Sequence, residues 1–212
     1  MLFIFDWDGT LMDSADRIVA VMQQALSDRG LAPLTDASIR SIIGLGLPEA
    51  LRTLCPELPA AEIDELRSAY SRRFVEAEDV PCQFFPGVRE TLDVLRADGS
   101  RLAVATGKSR RGLNRVLAGL GMSEYFDATR CSDETRSKPH PLMLTELLAE
   151  LAVPAERAVM VGDTEFDMAM AVSAGVPRVA VDYGAHAVER LLPYRPGLVL
   201  SNFPELLGWR WP

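Results

Sequence analysis

Lysine is nearly missing from this chain. Of 22 basic residues only Lys108 and Lys138 are lysines, so arginine serves as the general surface cation. A compact ammonium differs from a guanidinium as a point charge beside phosphate or clustered carboxylates, which marks the surroundings of both lysines as candidate sites. Basic charge as a whole is also short: 22 against 30 acidic residues gives a formal charge of −8 and a pI of about 4.9. That balance argues against nucleic acid or an anionic membrane as a partner. Cysteines are few and odd in number (Cys55, Cys82, Cys131) with no C-x-x-C pair, which points away from a disulfide framework or a thiolate zinc site and toward a reducing compartment. The only histidines, His140 and His186, are far apart in sequence. Long hydrophobic runs are absent too. The stretch from Met168 to Pro177 falls well short of the roughly 20 residues that span a bilayer. The apolar start, Met1 to Phe5, has no basic stretch before it and meets Asp6 at once, unlike a signal peptide. A cytoplasmic location is expected.

What is present is ordinary for a globular protein: 212 residues, 48% hydrophobic and 25% charged, enough for one large domain carrying a modest insert. Leu2 to Phe5 is apolar on both alternating faces, as in a strand buried on both sides of a parallel sheet. Arg101 to Ala105, Ala158 to Val161 and Arg178 to Val181 repeat the pattern after helix-like stretches, with weaker strand signals at Tyr125 to Thr129 and Gly197 to Leu200. This rhythm predicts an α/β fold with a doubly wound, Rossmann-like parallel sheet and functional residues beyond the carboxyl ends of its strands. The rhythm stops between about Ser14 and Cys82, where helix-like stretches run over Ala15 to Arg29, Asp36 to Ile43, Pro48 to Leu54 and Pro59 to Glu78. The expected division is a core of residues 1–13 and 84–212 with an all-α insert over 14–83, entered through an Asp13-Ser14 helix cap and left through Pro81, Pro86 and Gly87.

Asp6 and Asp8 end the first strand, where a period of two points both carboxylates the same way. Their repulsion calls for a hard divalent cation held by oxygen ligands. Gly9 then allows a tight turn into Thr10-Leu11. A second acidic group, Gly162-Asp163-Thr164-Glu165-Phe166-Asp167, follows a later strand, with Asp163 and Asp167 one helical turn apart. Thr106-Gly107-Lys108 lies where a hydroxyl and backbone N–H groups at a helix start can hold an anion. Lys138 sits in a rigid Ser-Lys-Pro-His-Pro stretch.

In this order, D-x-D-G-T-L over 6–11, Thr106, Lys138 and G-D-x-x-x-D over 162–167 resemble the four motifs of the haloacid dehalogenase superfamily. The likeness runs through the whole chain and is nearest to phosphoglycolate phosphatase-like members with a small helical cap. The resemblance implies a phosphatase of small phosphorylated metabolites. Asp6 would be the nucleophile that becomes a phosphoaspartate, and Asp8 the acid that protonates the leaving alcohol and then activates water. Mg²⁺ would be held by Asp6, the backbone carbonyl of Asp8 and Asp163. Thr106 and Lys138 would bind the phosphoryl group with Gly9, Gly107 and Lys108, and Asp167 would support the site through water or by orienting Lys138. Dehalogenases of the superfamily lack an acid at the Asp8 position, so Asp8 points to phosphoryl transfer.

The insert carries Gly44-Leu45-Gly46-Leu47-Pro48-Glu49 where related enzymes have a substrate-facing loop, making Gly44 and Gly46 candidate substrate contacts and a helix-helix turn the plain alternative. Sugar-phosphate mutases of the superfamily place serine and arginine there, and this chain does not. A phosphosugar mutase and a non-catalytic binding protein on the same scaffold remain rival readings. Gly107-Lys108-Ser109 echoes a phosphate-binding P-loop, but Leu102 stands where that motif needs glycine. Arg110, Arg111 and Arg115 read as a solvated helix face, His140 as part of a rigid turn, and Trp209 and Trp211 as packing on a sheet edge.

Overall fold

A computed structural model describes residues 1–77 and 82–210 of the chain. Strand β1 (Leu2–Phe5) is followed by a two-residue strand β2 (Met12–Asp13) and then by four helices. These are α1 (Ala15–Asp28), α2 (Asp36–Arg40), α3 (Leu47–Leu54) and α4 (Ala60–Glu76), after which a second short strand, β3 (Gln83–Phe84), returns the chain. Helix and strand then alternate through α5 (Val88–Ala97), β4 (Arg101–Thr106), α6 (Arg110–Gly119), β5 (Ala128–Cys131), α7 (Leu142–Glu150) and β6 (Ala158–Gly162). The chain closes with α8 (Glu165–Ala174), β7 (Arg178–Val181), α9 (Val188–Leu191), β8 (Leu198–Leu200) and a 3₁₀ segment, Phe203–Gly208.

Six strands form one parallel sheet in the order β5-β4-β1-β6-β7-β8, the doubly wound arrangement the apolar runs predict. Alternation sorts its side chains. Phe3, Phe5, Leu102 and Val104 pack on one face against α5, α6 and the 3₁₀ segment, while Leu2, Ile4, Ala103 and Ala105 pack on the other against α7 and α8. Direction of winding reverses at β1, and the ends of β1 and β6 flank the crevice where such folds bind ligands. The four helices between β2 and β3 bury a cluster of their own, with Leu26, Ile39, Leu51 and Leu66 fully or almost fully enclosed.

Several local expectations needed correction. The β2–β3 antiparallel pair, with Met12 opposite Phe84, is too short to leave a periodic signal. Ser14 opens α1 without donating or accepting a side-chain cap bond, because its hydroxyl turns to Asp8 instead. The strand expected from Tyr125 begins at Ala128: Phe126 leaves the sheet to pack edge-on against Trp7, and Asp127 accepts from the Leu102 N–H at 2.8 Å. Helix α2 stops at Arg40, and the chain winds through tight i→i+3 turns to Gly44, whose φ of +103° suits glycine. Trp209 packs over Gly197 at the sheet margin; Trp211, Glu78 and Pro81 lie outside the described residues.

Candidate active site

β1 delivers Asp6 to the crevice while its main chain still pairs with β6, the Asp6 N–H donating to Val161 O at 3.0 Å. The Asp6 carboxylate is buried beside Lys138, whose Nζ lies 2.6 Å from Asp6 Oδ1 and 2.7 Å from Asp167 Oδ1. Asp167 is fixed from its other oxygen, Oδ2, which accepts from the Thr164 hydroxyl at 2.6 Å and the Thr164 N–H at 3.1 Å in a capping box at the start of α8. Asp163 is wedged between glycines: a Cβ at Gly9 or Gly184 would lie 2.2 Å from one of its side-chain atoms. Its oxygens accept from the Thr10 hydroxyl at 2.8 Å and the Ala185 N–H at 2.7 Å.

Asp8 parts company with Asp6. The chain turns at Gly9, and the Asp8 carboxylate accepts from the Ser14 hydroxyl at 2.6 Å and pairs with Lys108 Nζ at 3.0 Å. Lys108 in turn sits 4.9 Å from the centre of the Phe74 ring on α4, so the helical insert touches this pair. Thr106 ends β4 fully buried, its hydroxyl accepting from the Lys108 N–H at 3.2 Å. Thus Asp6, Asp163, Asp167 and Lys138 form one buried group, and Asp8 and Lys108 a neighbouring pair with side chains about one-eighth exposed.

Gly44 and Leu45 approach the core at Gly107 backbone to backbone, and Gly46 meets core side chains. A Cβ on Gly107 would lie 2.5 Å from the Leu45 carbonyl oxygen, and one on Gly44 would meet the Thr164 hydroxyl at 2.9 Å. The Gly46 N–H donates to the Ser137 hydroxyl at 2.8 Å, and His186 Nε2 donates to the Ser41 carbonyl at 3.2 Å while its Nδ1 accepts from the Glu165 N–H. These contacts dock the insert on the core. Ser14, Thr164, Gly184, Ala185 and His186 were not assigned to the site from the sequence, although Thr164 lies inside the 162–167 motif. Arg110 is partly exposed and paired with Glu134 at 2.7 Å.

The electrostatics favour a cation. If all ionised, the four carboxylates (Asp6, Asp8, Asp163, Asp167) would leave two negative charges in excess of the two ammonium groups. Burial, reinforced by Asp167 and Asp163, pushes the Asp6 carboxyl well above its ordinary value despite Lys138. Burial and the Asp167 charge raise Asp163 to about 7. Burial alone would lower Lys138, but Asp167 and Asp6 more than offset it, and the ammonium persists. One oxygen each of Asp6, Asp163 and Asp167 lie within 4.8 Å of one another, and Asp6 Oδ2 has no donor among the described residues. An all-oxygen set short of positive charge suits a hard divalent ion.

A doubly wound sheet with acids and a buried lysine at its switch point defines a Rossmann-like α/β enzyme. Comparison with known proteins gives the family. The family model for haloacid dehalogenase-like hydrolases matches residues 3–181. A protein named "Probable phosphatase IndB" from Dickeya dadantii is 36% identical over 98% of this chain and 92% of its own length. Phosphoglycolate phosphatase from Yersinia pestis is 32% identical over 96% of this chain and 90% of its own. A haloacid dehalogenase-like family hydrolase from Streptococcus pneumoniae superposes with a TM-score of 0.83 at 25% identity, covering 98% of this chain and 96% of that one. The chain belongs to the haloacid dehalogenase-like hydrolases and is an enzyme of their phosphatase type. Among the described residues no helix is long and apolar enough to cross a membrane.

Proposed function

We propose that this enzyme is a Mg²⁺-dependent phosphatase of small cytoplasmic metabolites that works through a phosphoaspartate on Asp6. The observation carrying the reading is the Asp6 carboxylate, held by Lys138 on one oxygen and left without a donor on the other, beside Asp163. Asp6 Oδ2 bonds to phosphorus as the ester bond breaks, and Asp8 gives its proton to the leaving alcohol. Asp8 then takes a proton from water, whose oxygen displaces Asp6 and releases inorganic phosphate. Lys138, Thr106 and the backbone at Gly107 and Lys108 hold the phosphoryl oxygens, with Gly9 admitting close approach. Asp167 keeps Lys138 aimed at Asp6. Asp6, the Asp8 carbonyl and Asp163 would hold the metal, which supplies charge neutralisation to the phosphoryl group.

The helical insert acts as a cap: Asp6 and Lys138 are about 1% exposed with Gly44, Gly46 and Ser41 docked on the core, so substrate enters when these contacts part. Phosphoglycolate is the lead substrate because relatives bear that name. Phosphate release from a panel of esters, with Mg²⁺ or EDTA, tests this. Metal-dependent release that disappears in folded Asp6→Asn supports it; near-normal release by that variant would sink the covalent route.

A further inference from the structure

The loop between β7 and α9 joins the turn after β1, the start of α8 and the helical insert. The Tyr183 hydroxyl donates to the Thr10 carbonyl at 3.2 Å, the Ala185 N–H holds Asp163, and Ala185 packs with Ala15, Ile18 and Ile43 of the insert. His186, next in this run, is 2% exposed and lies edge-on to Phe166 with ring centres 5.3 Å apart. Its Nε2 is 3.2 Å from the Ser41 carbonyl oxygen of the insert, and its Nδ1 is 3.3 Å from the Glu165 amide nitrogen at the start of α8. A carbonyl only accepts and an amide N–H only donates, so one form of the ring meets both: neutral, with its hydrogen on Nε2. Glu165 lies inside the Thr164–Asp167 capping box, and Asp167 is the carboxylate that holds Lys138 from the side opposite Asp6. One imidazole therefore links the insert to the segment that aims the buried ammonium.

We infer that His186 is a positioning residue, a latch that holds the insert over Asp6 and Lys138 only while its ring is neutral and that steadies the start of α8 through the same ring. The latch follows from the contacts alone; that closure serves phosphoryl transfer rests on the phosphatase reading. Protonation would set an Nδ1–H against the Glu165 N–H, donor facing donor, and one of the two bonds must go. The charges around the ring come from the core: Glu165, paired with Arg190 at 2.6 Å, and Asp167. The insert meets the ring with the Ser41 carbonyl, the adjacent Arg40 being paired with Asp16. Burial and then Arg190 hold the imidazole below its ordinary 6.5, against the pull of Glu165 and Asp167. A group lowered in the closed state supports closure fully above its open-state value and withdraws that support as pH falls below it, so docking weakens below about pH 6.5.

The test uses the whole chain. Imidazole nitrogen NMR shifts, with His140→Gln leaving a single histidine signal, should give the Nε2–H form at pH 8 and a titration midpoint below 6.5. This reading needs no substitution at His186, so it decides the matter even where a variant there fails to fold. The Gly46 N–H donates to Ser137 across the same interface, and its hydrogen exchange, corrected for the intrinsic effect of pH, reports docking. Protection should fall about three- to tenfold in wild type between pH 8 and 5.5, the worth of one hydrogen bond. His186→Gln keeps a donor for Ser41 and does not titrate, so it should lack this fall. His186→Asn keeps an acceptor for Glu165 but gives up Ser41, so its protection should be low at both pH values. The value of kcat/KM for phosphoglycolate should drop by the same factor in His186→Asn and recover in His186→Gln. A ring with its hydrogen on Nδ1, or parallel exchange profiles for wild type and His186→Gln, would overturn the latch, while phosphate release that still needs Asp6 keeps the phosphatase reading. The expected exchange pattern in a protein that releases phosphate from no ester would support the latch and overturn that reading alone.

Discussion

Metal-free protein should lose stability as the pH rises from 5 to 7. Burial and the charge of Asp167 raise the Asp163 carboxyl from 3.8 to about 7 in the folded state, against the opposing bonds from Ala185 and Thr10. The folded protein therefore holds a proton that the unfolded chain releases near 3.8. Stability linked to a raised carboxyl is fully present below the unfolded value and is lost as pH climbs through the folded one. At about 1.4 kcal/mol per pH unit, a shift of about three units removes about 4 kcal/mol in all, of which about 2 kcal/mol falls between pH 5 and 7. Asp6, shifted the same way, adds to the slope. Asp28, Asp93 and Glu134 are held below their ordinary values by hydrogen bonds from Arg73, Tyr125 and Arg110 and act in the opposite sense, but only in more acid solution. His186, lowered from 6.5 by burial, gains stability as pH rises toward 6.5 and so opposes the trend in this window.

The comparison with Asp163→Asn cancels those contributions. An asparagine keeps both bonds, because its oxygen can accept from the Ala185 N–H while the Thr10 hydroxyl rotates to accept from its amide. Urea unfolding in EDTA at pH 5, 6, 7 and 8 should show wild type falling toward, then below, the variant. Added Mg²⁺ should reverse the order at pH 8, since the ion takes the place of the proton in wild type only. Parallel profiles of the two proteins in EDTA would refute the account of Asp163.

Lys138→Met should abolish phosphate release and destabilise the fold by about 3–5 kcal/mol at neutral pH, since it strands two buried carboxylates; a loss under about 1 kcal/mol in urea unfolding would contradict the ion-pair geometry. Gly107→Ala should hinder docking of the cap, because the new methyl would press on the Leu45 carbonyl. The expected signature is faster proteolysis within residues 14–83 and a lower kcat/KM, and an unchanged digestion pattern would count against that contact. Leu66→Ala, fully buried in the helical cluster, should cost about 2–5 kcal/mol in thermal or urea unfolding; a cost well under that range would mean the cluster is loosely packed.

The sequence by itself determined the parallel sheet and the list of acids and lysines at its edge. Strands buried on both faces must be apolar throughout, and a D-x-D-G-T-L run after one of them is a local, legible pattern. What it left open was which charge meets which. Equal spacing along a strand sends Asp6 and Asp8 the same way, yet β1 ends at Phe5 and the chain bends at Trp7, which parts them, one to Lys138 and the other to Lys108. The two lysines were conspicuous in composition, but their partners Asp8 and Asp6 after the first strand lie a hundred or more residues away, and such pairings follow from how β1, β4 and β6 neighbour one another in the sheet rather than from any local rule. The same holds for Gly107 against Leu45 and His186 against Ser41. Each is a contact between segments brought together only when the helical insert settles on the sheet, and neither periodicity nor motif encodes the distance between surfaces that meet late in the fold.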